Sequence, residues 1–399
     1  MNATFWTVGS WVLMALALPW LVSTAYLAFL SIFSGRLRAA APDESTTFDI
    51  LVPAHNEAAG IGKTVASLLA MDYPKEQYRV IVIADNCADD TAARARAAGA
   101  TVLERHNAQL RGKGYALAHG YAASLGEGFA DSIVVVDADT SVSGNLLSAF
   151  SARFAAGAEA VQAEHGVRNA DDSWRTRLMV IAYALYHTLR SNARERLKLS
   201  CGLRGNGMGF SAALLRRVPP RAFSVVEDIE YGITLGLAGT RVVYVHEAEV
   251  RGDMPVSSEA SAPQRARWEG GRTELIRQHV GPLWRAARGP ARGIPLDLAA
   301  DLIVPPLTTV TLWVTVGVAF TTLLVARGLV PLVTVVPWAI AITALVMYVV
   351  RGAMLAPKGI RTLVDLLWAP AFALWKVTLL LRPNRNKGEW VRTTRSDEI

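Results

Sequence analysis

Between Phe5 and Phe33 the chain carries no charged residue over 29 positions, and no other feature limits its available folds as severely. About 20 consecutive apolar residues suffice for a helix to cross a bilayer. The run therefore predicts one transmembrane helix. A secretory signal would place positive charge before a shorter apolar core, whereas the first basic residues here, Arg36 and Arg38, come after it. Positive charge marks the cytoplasmic flank, which puts the N-terminus outside and the rest of this region in the cytoplasm. Two further apolar spans, Leu302 to Val325 and Leu329 to Val350, are joined by a turn holding Arg327 and Gly328 and predict a helical hairpin. Arg351, Lys358 and Arg361 then return the chain to the cytoplasmic side. Leu363 to Leu381 contains Asp365 and Lys376. An ionised group at mid-bilayer costs about 2.5–3.5 kcal/mol on insertion scales, so this segment reads as an interfacial or partly inserted helix.

The overall 52% of hydrophobic residues against 19% charged is high for a soluble enzyme, and the excess gathers in residues 4–33 and 301–350. A middle of ordinary composition remains. The net charge of +7 comes from Arg and Lys placed beside the apolar segments, not in one tract. That pattern favours anionic lipid headgroups and a phosphorylated substrate over nucleic acid. Cys87 and Cys201 are too few for a disulfide framework, which places the globular part in a reducing compartment.

Within the middle, Phe48 to Pro53 reads as a strand ending in the turn Ala54-His55-Asn56-Glu57, after which Ile61, Val65, Leu68 and Leu69 recur at helical spacing. Arg79 to Asp85 is a second strand, completing a βαβ unit. Thr91 to Gly99 then reads as a helix, Ala100 to Leu103 as a short strand and Gly114 to Leu125 as a further helix. Ile133 to Val136 is a run of four β-branched residues, the pattern of a strand buried on both faces, and Asp137 and Asp139 lie just beyond it. The alternation predicts an α/β fold: a mixed, mostly parallel sheet with helices on both faces, plus transmembrane and interfacial helices. In open sheets of this kind ligands sit outside the carboxyl ends of the strands. Trp174 to Lys198 and Arg265 to Arg288, apolar and Arg-rich at once, have the pattern of helices lying in a membrane interface. Packing against the sheet is the alternative.

Four polar clusters fall at strand ends or loops. They are Pro53 to Glu57, Asp85 to Thr91, the basic turn Arg111-Gly112-Lys113-Gly114, and the pair Asp137 and Asp139. Two carboxylates one residue apart supply hard oxygen ligands of the kind that suits Mg²⁺ or Mn²⁺ on a diphosphate. Asp89 or Asp90 reads instead as a cap for the next helix. Neither the basic turn nor Gly205 to Gly209 has the spacing of a P-loop or a dinucleotide fingerprint. His55, His106, His119 and His165 share no metal-ligand spacing, and a structural or surface role is favoured for each.

Together with two motifs further along the chain, these clusters resemble the glycosyltransferase family 2 membrane synthases, which make cellulose, chitin, hyaluronan or poly-N-acetylglucosamine. Val226-Glu227-Asp228 stands where that family has Thr-Glu-Asp, and Gln264-Arg265-Ala266-Arg267-Trp268 fits Gln-x-x-Arg-Trp. The resemblance covers roughly residues 45–290, and a weaker one reaches Trp390 to Arg395 in the tail. Val226 departs from the motif by lacking a hydroxyl. The resemblance implies a GT-A fold in which Pro53, Asn56, Glu57, Asp85 and Lys113 bind the nucleotide sugar with Asp137 and Asp139, which also hold Mg²⁺ or Mn²⁺. It implies that Asp228 is the general base beside Glu227, and that Gly207, Gln264, Arg267 and Trp268 border the acceptor and diphosphate. Pairing with a nearby Arg is the rival role for Glu227, and core packing the rival for Trp268.

The expected protein is an integral membrane enzyme of a bacterial inner membrane with a cytoplasmic catalytic domain. Residues 1–35 form the first helix, 36–47 a linker, 48–290 the catalytic domain, 298–351 the hairpin, 352–381 the interfacial helix and 382–399 a basic cytosolic tail. It would transfer a hexosyl or N-acetylhexosaminyl group from a UDP-sugar to a growing β-linked polysaccharide, with inversion. Single transfer to a lipid acceptor, ceramide or polyprenyl phosphate, is the alternative. A non-catalytic nucleotide-sugar-binding membrane protein is the rival from another class. Three spans are few for an autonomous pore, which brings in a homo-oligomer or an export partner alongside membrane lipid.

Overall fold

Apolar runs in the first part of the middle region set the sheet, and the polar turns set where it opens. The computed structural model describes residues 3–256, 258–289 and 292–372, with the side chains of 3–7 and 258–269 excepted. After helix α1 (Ala3–Phe33) the chain runs through β1 (Phe48–Ala54), α2 (Ile61–Leu69), β2 (Tyr78–Asp85), α3 (Thr91–Ala97), β3 (Thr101–Arg105), α4 (Lys113–Glu127) and β4 (Ser132–Val135). Strand β1 pairs in parallel with β2 on one side and β4 on the other. The direction of winding therefore reverses between β1 and β4, the point at which doubly wound sheets open a crevice.

The second half adds β5 (Ser141–Val142), α5 (Leu146–Ala155), β6 (Ala160–Val167), α6 (Trp174–Tyr183), α7 (Arg190–Arg196), β7 (Met208–Ser211), α8 (Ala212–Arg217), α9 (Glu227–Leu237) and β8 (Val242–Gly252). The eight strands form one sheet in the order β3-β2-β1-β4-β7-β6-β8-β5. Strand β7 is antiparallel to β4 and to β6, so the central strand joins a parallel half to a mixed half. As expected of a strand covered on both sides, Val134 and Val136 pack with Ile50, Val65 and Phe150, while Ile133 and Val135 pack with Leu51, Leu117 and Phe210. Strand β6 slips register against β8 between Ala163 and Glu164, a bulge beside the open end of the sheet.

The remaining elements are α10 (Ser258–Ala286), α11 (Gly293–Ile303), α12 (Leu307–Ala326) and α13 (Val336–Leu355). Among the described residues, three helical stretches are long and apolar enough to cross a membrane: Val8–Phe33, Leu307–Ala326 and Leu332–Leu355. The hairpin begins later than the hydropathy suggests because Pro305 and Pro306 separate α11 from α12. It ends later because Arg351 stays helical, its guanidinium donating to the Ser34 hydroxyl and carbonyl at the end of α1.

The segment 174–198 differs from a free interfacial helix. Helix α6 passes through one π-helical turn, Ala184–Leu189, into α7. Leu178, Ile181, Leu185 and Leu189 are buried against Leu27, Leu30 and Tyr348 of the apolar helices. Arg190 and Arg194, expected on a solvated or lipid-facing side, are buried: Arg194 Nε lies 2.7 Å from Asp297 and Arg190 Nη1 2.7 Å from Asp301, both on α11. Tyr26 of α1 donates to Asp297 at 2.8 Å, and Tyr348 of α13 receives Arg190 Nε at 3.0 Å. A charge taken out of water needs a close opposite charge and further hydrogen bonds, and this network supplies both. Within the expected interfacial helix at 352–381, Gly359–Trp368 is a run of 3₁₀ turns in which Asp365 pairs with Arg177 at 3.2 Å. Residues 373–399, including Trp390 to Arg395, lie outside the described residues.

Candidate active site

The open end of the sheet between β1 and β4 gathers the acidic groups from distant parts of the chain. Lys113, at the start of α4, is the centre: its Nζ lies 2.5 Å from Asp137 Oδ1 and 3.8 Å from Glu227 Oε1, and it donates to the Gly205 carbonyl at 2.5 Å. Asp228 adjoins the same point, since a Cβ placed on Gly205 would stand 3.3 Å from Asp228 Oδ2 and 3.6 Å from Lys113 Nζ. Gly205 has φ +78°, a conformation other residues avoid, and so brings bare backbone to the ammonium. Burial opposes the charge on Lys113, but the facing carboxylates of Asp137, Glu227 and Asp228 outweigh it and hold the ammonium above its ordinary pKa.

Glu227 and Asp228 occupy the first turn of α9, where the helix dipole favours negative charge. Burial nevertheless raises both pKa values, with Lys113 pulling each back down. A carboxylate whose proton affinity is raised is better suited to accept a proton. The motif's hydroxyl is missing at Val226, the N-cap position, which makes no side-chain cap bond. Its methyl groups instead meet Gly271 on α10, where a Cβ would lie 2.8 Å away. That contact sets the helix bearing Gln264, Arg267 and Trp268 beside α9; those three side chains lie outside the described ones.

The Asp137 loop is fixed by Asn206, which sequence reasoning passed over. Its Oδ1 accepts from the Asp137 amide at 3.1 Å and its Nδ2 donates to the Thr140 hydroxyl at 2.8 Å. Gly207, with φ +65°, faces Val250 and Ala163, which a Cβ would approach to 2.8 and 3.1 Å. It acts as a turn under the site. Asp137 and Asp139 offer hard oxygens beyond β4, and among the described residues no third acidic, His or Cys side chain joins them closely enough to complete a metal site. This donor set fits Mg²⁺ or Mn²⁺ of the kind held by one or two carboxylates plus substrate phosphates and water.

On the nucleotide side, Asp85 at the end of β2 is buried against Arg105, 2.5 Å away. Pro53 lies on β1, paired with Ile83. Asn56 takes φ +56° and accepts the Ala88 amide at 2.8 Å, tying the β1 and β2 turns together. The Glu57 amide donates to the Thr91 hydroxyl at 2.7 Å, and Glu57 itself is buried. Asp89 accepts from the Thr91 and Ala58 amides, whereas Asp90, at the N-cap, makes no cap bond. Of the two rival roles for Glu227, an ion pair is present, but with Lys113, not an Arg. His165, set aside on spacing alone, sits close enough to Asp137 and Lys113 to feel both charges. Its signal lay in three dimensions, at a bulge no periodicity reveals.

Residues 45–271, more than half of the chain, match the family model described as "Glycosyltransferase like family 2". Beta-monoglucosyldiacylglycerol synthase of Synechocystis sp. is 28% identical over 291 residues, 67% of this chain and 57% of that protein. The UDP-forming cellulose synthase catalytic subunit of Pseudomonas fluorescens is 39% identical over 67 residues, 16% of this chain and 9% of that one. The chain thus spans less than two thirds of the length of these relatives. Mannosyltransferase PcManGT from Pyrobaculum calidifontis, solved with GDP-Man and Mn²⁺, aligns at 18% identity and a TM-score of 0.54 over 84% of this chain and 98% of that chain. That likeness is one of fold.

Proposed function

Since the chain belongs to glycosyltransferase family 2, we propose that it transfers a single sugar from a UDP-sugar, with inversion, to a hydroxyl of a membrane lipid at the cytoplasmic face. The observation that carries this reading is the convergence of Asp137, Lys113, Glu227 and Asp228 at the open end of the sheet, in a chain whose described residues include three helices of membrane-spanning length. In this assignment Asp228 takes the proton of the attacking hydroxyl, the kind of step for which a positioned carboxylate contributes about 10²–10⁴-fold. Lys113 holds Asp137 and the Gly205 carbonyl in place and keeps a positive charge where negative charge develops on the leaving diphosphate. Asp137 and Asp139 would hold Mg²⁺ or Mn²⁺, which when bound neutralises that diphosphate without proton transfer. Pro53, Asn56, Glu57 and Asp85 would contact the nucleotide, and Gly207, Gln264, Arg267 and Trp268 would border diphosphate and acceptor. Attack in one in-line displacement leaves no covalent intermediate and inverts the anomeric centre.

A lipid acceptor is favoured over a growing polysaccharide by extent of similarity: the match to a diacylglycerol glycolipid synthase runs over 291 residues, that to a cellulose synthase over 67. The three candidate spans among the described residues also give little wall for a polymer channel without a second copy or a partner. The polysaccharide reading retains support from the Gln-x-x-Arg-Trp sequence at 264–268. The accompanying division is a catalytic domain at 48–290 with its N-terminal helix and hairpin in the bacterial inner membrane. Membranes carrying the protein, incubated with Mn²⁺ and a panel of radiolabelled UDP-sugars, are expected to put label into the lipid extract from one donor, and chelation is expected to abolish it. Label in long polymer would replace the lipid reading, and no label from any UDP-sugar would refute both.

A further inference from the structure

Beside the proposed base lies a second cluster that the transfer chemistry does not use. The bulge at Glu164 turns that carboxyl and the adjacent His165 toward the π-helical turn, where Thr188 donates to Glu164 Oε1 at 2.8 Å. A bulge and a π-turn each re-aim side chains at a cost in regular pairing, and both are frequent at functional sites. Here they face each other. The ring of His187 lies 5.3 Å from that of His165 and 4.6 Å from that of Tyr183, and the Arg204 guanidinium lies over the Tyr186 ring at 4.6 Å.

Three polar atoms in this cluster are shut off from solvent with no hydrogen-bond partner among the described residues: His165 Nδ1, His187 Nδ1 and Arg204 Nε. An unsatisfied buried polar group costs about 1–3 kcal/mol, so three together point to a ligand that completes them. Burial pushes His165 down to about 4 and lowers His187, which keeps both imidazoles neutral, and it raises Glu164 to about 8. Neutral imidazoles and a protonated carboxyl each offer one donor and one acceptor, the complement of hydroxyl groups, and the rings offer faces to C–H bonds. Arg204 precedes Gly205, the residue that abuts Asp228, so the cluster borders the base. The π-turn is also tied to the apolar helices, since Tyr348 of α13 donates to the Leu185 carbonyl at 2.7 Å.

We propose that Glu164, His165, His187 and Arg204, with the rings of Tyr183 and Tyr186, form a subsite for a neutral polyhydroxyl group of the acceptor, either a glycerol or a glycosyl headgroup. This rests on the transfer reading for its link to Asp228, but binding at the subsite needs no turnover and is measured apart from it. The full-length protein in detergent, saturated with UDP and Mg²⁺, is irradiated, and saturation transfer by NMR is recorded to methyl β-D-glucoside and, separately, to monooctanoylglycerol. The wild type is expected to transfer saturation to the hydroxyl-bearing part of at least one probe, and the stronger response identifies glycosyl or glycerol. His187→Phe and His165→Phe keep the rings and are each expected to cut that signal at least fivefold while UDP binding and the melting temperature hold. An unchanged signal in both folded variants, or no signal from either probe on the wild type, overturns the subsite. Absence of UDP-sugar transfer by the wild type, with its probe signal intact, would instead overturn the transfer reading alone.

Discussion

Lys113 is a half-buried cation facing Asp137, Glu227 and Asp228, and it lowers the proton affinity that burial raises in the last two. A nearby positive charge favours the ionised form of a carboxyl, so its removal raises that carboxyl's pKa. Lys113→Met is therefore expected to leave Asp228 protonated to higher pH and to move the acid limb of the kcat/KM profile upward, beyond any loss at the plateau. An acid limb that stays in place while the plateau drops would show that Lys113 acts only on substrate. The carboxylates of this site were legible in the sequence, because each falls at the end of an apolar run or in a motif of fixed spacing. Lys113 was legible only as a cation in a flexible turn. Its role as the hub depends on Asp137 and Glu227, which are 24 and 114 positions away, and no local pattern encodes such a meeting. Asn206 and His165 were missed for the same reason: their partners, Asp137 and the π-turn residue His187, come from other elements.

At the scale of elements, the strands and helices up to β4 follow the sequence pattern closely, since the apolar runs of β1, β2 and β4 are buried on both faces of the sheet. What periodicity withheld is pairing direction and register: β7 enters antiparallel between β4 and β6, and the two-residue β5 is too short to leave a pattern. The π-turn is likewise silent, because Ala184–Leu189 contains neither Gly nor Pro. The contact between α9 and α10 was legible as two motifs but not as an interface. Gly271 packs against Val226 so closely that any Cβ there would overlap short, stiff methyl groups. Gly271→Ala is expected to destabilise the protein by about 1–3 kcal/mol, the range for overpacking a filled core. It is also expected to lower kcat by shifting α9, and with it Asp228. Melting temperature and kcat measured together check this, and a neutral substitution would mean that the helices are not held by that contact.

The whole molecule couples the sheet to the apolar helices through buried charge. Arg190 and Arg194 of α7 reach Asp297 and Asp301 of α11, and Tyr26 and Tyr348 bring α1 and α13 into the same network. Hydropathy located the spans, but the network joins residues more than 100 positions apart, and the arginines read as lipid-facing until their partners were in place. Asp297→Ala would leave Arg194 buried beside one fewer carboxylate, and breaking a buried pair in this way costs about 3–5 kcal/mol. A fall of that size in stability is expected in detergent, with Asp297→Asn intermediate, and an unchanged melt would mean water reaches the pair. Sugar transfer at this site is tested most directly by Asp228→Asn in the purified protein. UDP binding, measured by calorimetry with Mn²⁺, is expected to match the wild type while transfer from the active UDP-sugar falls at least 100-fold, and transfer at the wild-type rate would contradict the assignment of Asp228 as the base.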